Sequence, residues 1–370
     1  MKPRVQKIFS HLDPAPDAIV LANATEPHLD QTFFYVFDVP SGLFEASAAI
    51  AYPDGELAIV TAPLEADTAF EAAKRDPHVK VHVAPREETA REVRKLLGNA
   101  RSIGLNFREL THEWFLKFDD VFPDAKWVDT SNAIRIARVT KDPNELQLLR
   151  RAAEIGSKVG REIPSLLKAG MSEVELAAEM EYRMNRYGAR GASFSTIVGF
   201  GAHSAEPHYS PGETKLQAGD SIVCDFGAWF HRYASDITRS FHFGRRDDEL
   251  KRVHETVERA QQAALGVIRP GVAAKDVHAA AQKVIDASPW KGRFTHGLGH
   301  SIGLAVHDGW SYGPNAQDSL EVGMAFTVEP GIYLVGRGGV RIEDDILVTP
   351  GGAEVLTSCP RELASCRIDC

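Results

Sequence analysis

Four carboxylates stand in or beside apolar, strand-like runs: Asp225 in SIVCDFGAW, Asp236 in SDITRSF, Glu329 in TVEPGIY and Glu343 in VRIEDDILV. A carboxylate in such a setting suffers a large desolvation cost unless it is paired, hydrogen-bonded or bound to a cation. Taken alone, Asp225 reads more simply as an acid turned outward at a strand end. The same cost arises at each of the four, and a bound cation reverses the penalty for clustered anions. One shared cation site therefore explains the set better than separate accidents. In the run Glu343-Asp344-Asp345, strand alternation also requires at least one acid to point inward.

His300 completes the set. In THGLGHSIGLAVHD it lies one helical turn beyond His296, but Gly297 and Gly299 argue against a helix, and no Glu follows His296 as a helical zinc motif requires. A tight loop or strand is expected there. One neutral imidazole among four carboxylates suits two divalent cations about 3.5–4 Å apart. Oxygen-rich ligation favours manganese, cobalt or zinc over copper. His208 in EPHYSPG and His307 in AVHDG sit in irregular, Gly- and Pro-flanked backbone. A lone loop histidine is usually just solvated, but loops of this kind also carry functional side chains.

The elements that must position these residues fall into two domains. Residues 1–135 alternate short apolar segments with helical ones such as LEADTAFEAAKR and EETAREVRKLLG, which predicts an α/β layer structure. Asp54-Gly55, between two apolar runs, predicts a hairpin. Residues 136–370 hold the chemistry-bearing strands. Their first helix is announced by Asp142 as cap and Pro143 at the first helical position, and the next by Ser172 and Glu175 at capping-box spacing. LLKAGMSEVEL around Gly170 is echoed by VIRPGVAAKDV around Gly271. That echo predicts two related halves with a cleft at their junction.

Composition narrows the functional classes. With 44% hydrophobic and 25% charged residues the chain reads as soluble and globular. A net charge of −9 without a basic stripe argues against nucleic acid. No apolar run reaches the ~18 residues of a membrane span, and MKPRVQKIFSHLDP has no apolar stretch after its charges; a cytoplasmic protein is expected. The four cysteines suggest no disulfide framework: Cys224 reads as a buried thiol, and Cys359, Cys366 and Cys370 as part of a solvated tail.

The ordered strings EPHYSPG, CDFGAWFHRYASDITRSF, HGLGHSIGLAVHD, TVEPGIY and GVRIEDDILVT resemble the pita-bread metallopeptidases, and within them the Xaa-Pro group of aminopeptidase P and prolidase. The resemblance spans residues 140 to 357 or so. It implies an α+β catalytic domain with pseudo-twofold halves behind a smaller α/β, creatinase-like N-terminal domain. It also implies a two-metal hydrolase, manganese first among its ions, acting on a peptide substrate; members are commonly dimers, which admits a homodimer. Matched residue by residue, Asp225 would hold one metal, His300 and Glu329 the second, and Asp236 and Glu343 both. His208 and His307 would line the substrate site and assist proton movement or stabilise the tetrahedral intermediate. Glu329 would shuttle a proton, His296 would lie near the substrate, and Arg341 would support the surroundings of Glu343. Prolidases often carry an arginine before the VEPG segment, and SYGPNAQDSLEVGMAF has none, which tilts the reading towards aminopeptidase P unless Arg337 reaches the site. A non-catalytic peptide-binding module or a metal-free, creatinase-type hydrolase fits less well, because every acid and His300 are kept.

Overall fold

Alternating short apolar runs and amphipathic helices build the first of two compact units, Met1–Arg138 and Val139–Cys370. The computed structural model describes residues 1–244 and 247–362, with the backbone of Ser365 and Cys366. In the first unit, strands β1 (Ala18–Ala22), β2 (Ala48–Ala51), β3 (Leu57–Thr61), β4 (Val79–Val83), β5 (Ser102–Leu105) and β6 (Lys126–Asp129) form one sheet in the order β4-β3-β2-β1-β5-β6. The antiparallel β2–β3 hairpin turns at Asp54-Gly55, where Gly55 has φ +91°. The neighbouring pairs β3–β4, β1–β5 and β5–β6 are parallel, which requires crossover connections, whereas β1 and β2 pair antiparallel although α2 lies between them. The helices are α1 (Lys2–Phe9), α2 (Gln31–Phe37), α3 (Ala66–Ala73), α4 (Thr89–Leu97), α5 (His112–Val121) and α6 (Ser131–Val139). Val20, Ile50, Val60, Ile103, Trp114 and Phe118 fill the core of this α/β layer.

The second unit opens with α7 (Pro143–Leu166) and α8 (Glu173–Arg186). Both begin with complete capping boxes, Asp142 with Glu145 and Ser172 with Glu175. Strands β7 (Ile197–Phe200), β8 (Ser221–Phe226), β9 (Trp229–Phe230), β10 (Tyr233–Ala234) and β11 (Ile237–Phe243) follow. Then come α9 (Asp248–Val267) and α10 (Ala274–Asp286), and β12 (Gly299–His300), β13 (Ser311–Tyr312), β14 (Ala325–Val328), β15 (Gly331–Leu334), β16 (Gly338–Arg341), β17 (Asp344–Thr349), β18 (Gly352–Val355) and β19 (Ser365–Cys366). Two principal antiparallel groupings result: β8 lies between β7 and β11, and β17 between β14 and β18.

The predicted two-half organisation is explicit in the backbone. Gly170 and Gly271 both take positive φ, +80° and +85°, a conformation that glycine alone adopts freely. Their amides donate to Leu216 O and Leu320 O at 2.9 and 2.8 Å, and the isolated bridges Ser172–Lys215 and Ala273–Ser319 repeat the same pairing. Each half has its own apolar core. Val159, Leu176, Met180, Phe226 and Ile237 belong to one, and Val257, Val277, Phe326, Ile342 and Ile346 to the other.

The cysteines divide differently from expectation. Cys224 is buried in β8, but Cys359 is also buried, at 6% exposure, with its sulfur against Gly160 of α7. It packs as a small apolar side chain and is no part of a solvated tail. The Cys366 side chain and Cys370 lie outside the described residues. No helix among the described residues is long and apolar enough to cross a membrane.

Candidate metal centre

Asp225 occupies the middle strand β8, directly opposite Ile197 of β7 and Thr238 of β11. Asp236 immediately precedes β11, because the chain returns through the tight β9–β10 hairpin. His231 and Arg232 turn that hairpin with φ of 46° and 70°, the left-handed pair whose twist matches the flanking strands. Gly227 is required beside it: a Cβ there would lie 1.8 Å from Ser235 O. His300 ends β12, and Glu329 follows β14 with its amide donating to Leu298 O at 2.8 Å. Glu343 lies between β16 and β17, its amide donating to Thr238 O at 3.1 Å. Residues remote in sequence are thus brought to one place by strand pairing within and between the halves.

They line one cleft of about 850 Å³, together with His208, His296, His307 and Arg341. Ligand atoms of Asp236, His300 and Glu343 all lie within 4.8 Å of one another. His300 Nε2 is 3.6 Å from Asp236 Oδ2 and 3.7 Å from Glu329 Oε1. Its Nδ1 faces Ser301 O at 3.4 Å, an arrangement that leaves the Nε2 lone pair for a cation. Asp225 Oδ2 accepts from Arg341 Nη2 at 2.7 Å. Asp225 Oδ1, Asp236 Oδ1 and Glu343 Oε1 are buried without a hydrogen-bond partner. An orphaned buried acceptor costs about 1–3 kcal/mol, so three of them beside an imidazole fit a site shaped for divalent ions.

The electrostatics tell the same story. Burial, followed by the charge of Glu343, raises the proton affinity of both Asp236 and Glu329 well above the ordinary carboxylate range. Burial, then the charge of Asp225, pushes Glu343 up to about 8. His300 is driven down to about 3, chiefly by burial and then by His307, whose ring centroid is 4.0 Å away. Without a counter-cation this cluster would hold protons; a divalent ion is the compensation its chemistry calls for.

Among the cleft histidines His296 is fixed by Gly297 and Tyr333. His296 Nδ1 is 2.8 Å from Gly297 O, and its Nε2 is 2.9 Å from Tyr333 Oη. Nδ1–H therefore donates and Nε2 accepts, so the ring is neutral. Burial, with Arg341 assisting, lowers it to about 4. Arg341 donates from Nη1 to Tyr333 Oη at 3.0 Å and from Nε to Thr238 Oγ1 at 3.0 Å. Burial and the neighbouring His208 also lower His307.

Several participants escaped the reading of the sequence. Thr238 donates to Glu343 Oε2 at 2.6 Å, and Tyr333 joins His296 to Arg341. Asp345 Oδ2 receives the Asp236 amide at 3.1 Å. Arg239, 1% exposed, binds Asp344 Oδ1 at 2.6 Å and the Cys359 carbonyl at 2.7 Å, and also the Glu343 carbonyl. All of Glu343, Asp344 and Asp345 are buried, so the requirement for one inward acid is exceeded: Arg239 and Arg361 neutralise Asp344 from behind. Single threonines, tyrosines and arginines carry no diagnostic spacing; only the apolar context of Arg239 in a strand offered a signal. Arg337 is not at the cleft. It is half exposed and pairs with Asp247 and Glu249 at the start of α9.

Residues 147–350 match the model of metallopeptidase family M24, and residues 18–140 that of the creatinase/prolidase N-terminal domain. The chain belongs to the M24 metallopeptidases: it is a hydrolase of the pita-bread fold, dependent on divalent metal ions. Its structure is similar to the X-Pro aminopeptidase from Thermotoga maritima, with TM-score 0.88 and 31% identity over 97% of this chain and 99% of that one. It is similar also to the Xaa-Pro dipeptidase from Bacillus anthracis, with TM-score 0.87 and 32% identity over 98% of each chain. The Xaa-Pro dipeptidase of Pyrococcus furiosus is 30% identical over 380 residues, 98% of this chain and all of that one.

Proposed function

We propose that this protein is a two-metal Xaa-Pro aminopeptidase, removing the N-terminal residue from peptides with proline in second position, with manganese as its preferred ion. The observation that carries the reading is the meeting of Asp225, Asp236, His300, Glu329 and Glu343 in a cleft whose wall also bears three histidines. These five residues would hold the ions. Asp236 and Glu343, read as shared between both, are two of the three whose ligand atoms all lie within 4.8 Å of one another. Divalent ions bound there supply an acidified water and polarise the scissile carbonyl.

The remaining work belongs to the side chains. His307, kept neutral beside the carboxylates, donates a hydrogen bond to the oxygen on which charge develops. Glu329 carries the proton from the attacking water to the departing proline nitrogen. His208 and His296 border the path of the peptide, and Arg341 holds Asp225 and, through Thr238, Glu343. The X-Pro bond has no N–H and a rigid ring, and the apolar wall of Phe194, Ile197, Trp229 and Val306 suits it.

Aminopeptidase action is favoured over dipeptidase action by the cations. Among the described residues Arg341 is the only Lys or Arg on the cleft wall, and it is engaged by Asp225, Thr238, Tyr333 and the Pro207 carbonyl. A free carboxylate immediately after proline would find no uncommitted guanidinium or ammonium there. The alternative, a prolidase, is supported by the likeness to enzymes named Xaa-Pro dipeptidase. Turnover of Xaa-Pro dipeptides, Xaa-Pro tripeptides and proline-free controls with manganese, cobalt or zinc decides between them. Preference for the tripeptides is expected; dipeptides alone as substrates would establish the prolidase. A homodimer is the working assembly on the resemblance alone, to be checked by sedimentation; the cytoplasmic reading rests on the sequence instead and is checked by cell fractionation.

A further inference from the structure

Glu173 begins α8 and is fully buried, yet it is not on the cleft wall. A buried carboxylate persists as an anion only when donors surround it. Four do. Oε1 accepts from the Phe200 amide at 2.9 Å and lies 2.9 Å from His203 Nδ1. Oε2 accepts from Tyr209 Oη at 2.9 Å and from the Gly212 amide at 3.1 Å. All four donors come from one stretch of chain, so a single side chain draws both ends of the 200–212 loop together.

Pro207 and His208, within that loop, reach the cleft. The loop is tightened from two more directions: His203 stacks on Tyr209 with centroids 4.3 Å apart, and Arg341 Nη1 donates to Pro207 O at 3.3 Å. Charge-assisted hydrogen bonds to an ionised acceptor are about twice as strong as neutral ones, so four of them are a rigid anchor. We propose that Glu173 is a positioning residue for hydrolysis, holding the His208 imidazole at its working distance from the substrate. This rests on the reading of His208 as a substrate-facing group.

The test compares Glu173→Gln, His208→Ala and the double variant as metal-loaded enzymes on an Xaa-Pro tripeptide. Glutamine keeps the shape of Glu173 but aims an NH₂ at donors it cannot accept from. Misplacing a catalytic group by about 1 Å costs up to ~100-fold, so Glu173→Gln should lower kcat by about 10- to 100-fold, with KM and bound metal little changed. In the His208→Ala background the same substitution should cost almost nothing further, which a merely structural role would not produce. Fully multiplicative losses, or unchanged kcat in Glu173→Gln, overturn the positioning role alone. Unchanged turnover in His208→Ala overturns the reading of His208 and this proposal with it. If Glu173→Gln does not fold, Tyr209→Phe, which removes one donor, is put through the same cycle and judged by the same outcomes.

Discussion

Thr238 Oγ1 donates to Glu343 Oε2 at 2.6 Å while receiving Arg341 Nε at 3.0 Å, so one hydroxyl sets the direction of a central carboxylate. Thr238→Val keeps the shape and removes both bonds. Leaving the buried Arg341 Nε unpaired costs about 1–3 kcal/mol, and a loosened Glu343 should weaken metal affinity and lower kcat/KM by roughly 10-fold. Denaturant titration and metal titration read the two effects separately, and Thr238→Ser should restore both. A valine variant with full metal affinity would show that Glu343 needs no such guide.

Ligand atoms of Asp236 and Glu343 lie within 4.8 Å of each other and of the His300 imidazole. Asp236→Asn or Glu343→Gln should lower metal content and nearly abolish hydrolysis with the fold retained. In chelated protein the same substitutions should leave stability unchanged or raised at neutral pH, since each removes an acid that must take up a proton from neutral solution to be buried among its neighbours. Full activity in either variant contradicts the assignment.

His307 packs against the His300 ring without being needed to hold an ion. His307→Ala should therefore cut turnover by ~10²-fold or more, the cost of losing an oxyanion donor, while metal analysis shows unchanged content. Loss of metal instead would move His307 into the ligand set.

His296 makes a pH-dependent contribution whose sign is definite. Its folded value of about 4 lies below the unfolded imidazole value of ~6.5. Between those limits the unfolded chain binds the extra proton, so stability falls as pH drops from about 6.5 towards 4. Urea midpoints of chelated wild-type and His296→Gln protein across that range should converge at the acidic end relative to pH 7.5. Parallel curves would mean His296 titrates normally in the folded state.

Local chemistry made much of this molecule legible. Asp142 with Glu145 and Ser172 with Glu175 are sequence-near pairs whose cap geometry needs no tertiary information, and Gly170 and Gly271 mark the two halves through one backbone requirement. The clustered acids were readable because an ionised group in an apolar strand is anomalous in itself. Cys359 was misplaced because three cysteines near a chain end look like a tail until Arg239 is seen to bind the carbonyls of Cys359 and Pro360. Thr238, Tyr333 and Glu173 act through partners 105, 37 and 39 positions away at most. No periodicity records such pairings; only the folded register brings them together.

The pseudo-dyad divides the ligand set: Asp225 and Asp236 come from the half that starts at α7, His300, Glu329 and Glu343 from the half that starts at α9. An ion seated among them is a rivet through an internal seam. Occupancy then penalises every partly opened form in which the halves separate, as well as the denatured chain. Chelation should accordingly speed amide exchange first along β11 and β17, where the halves share their charge, before it loosens either apolar core.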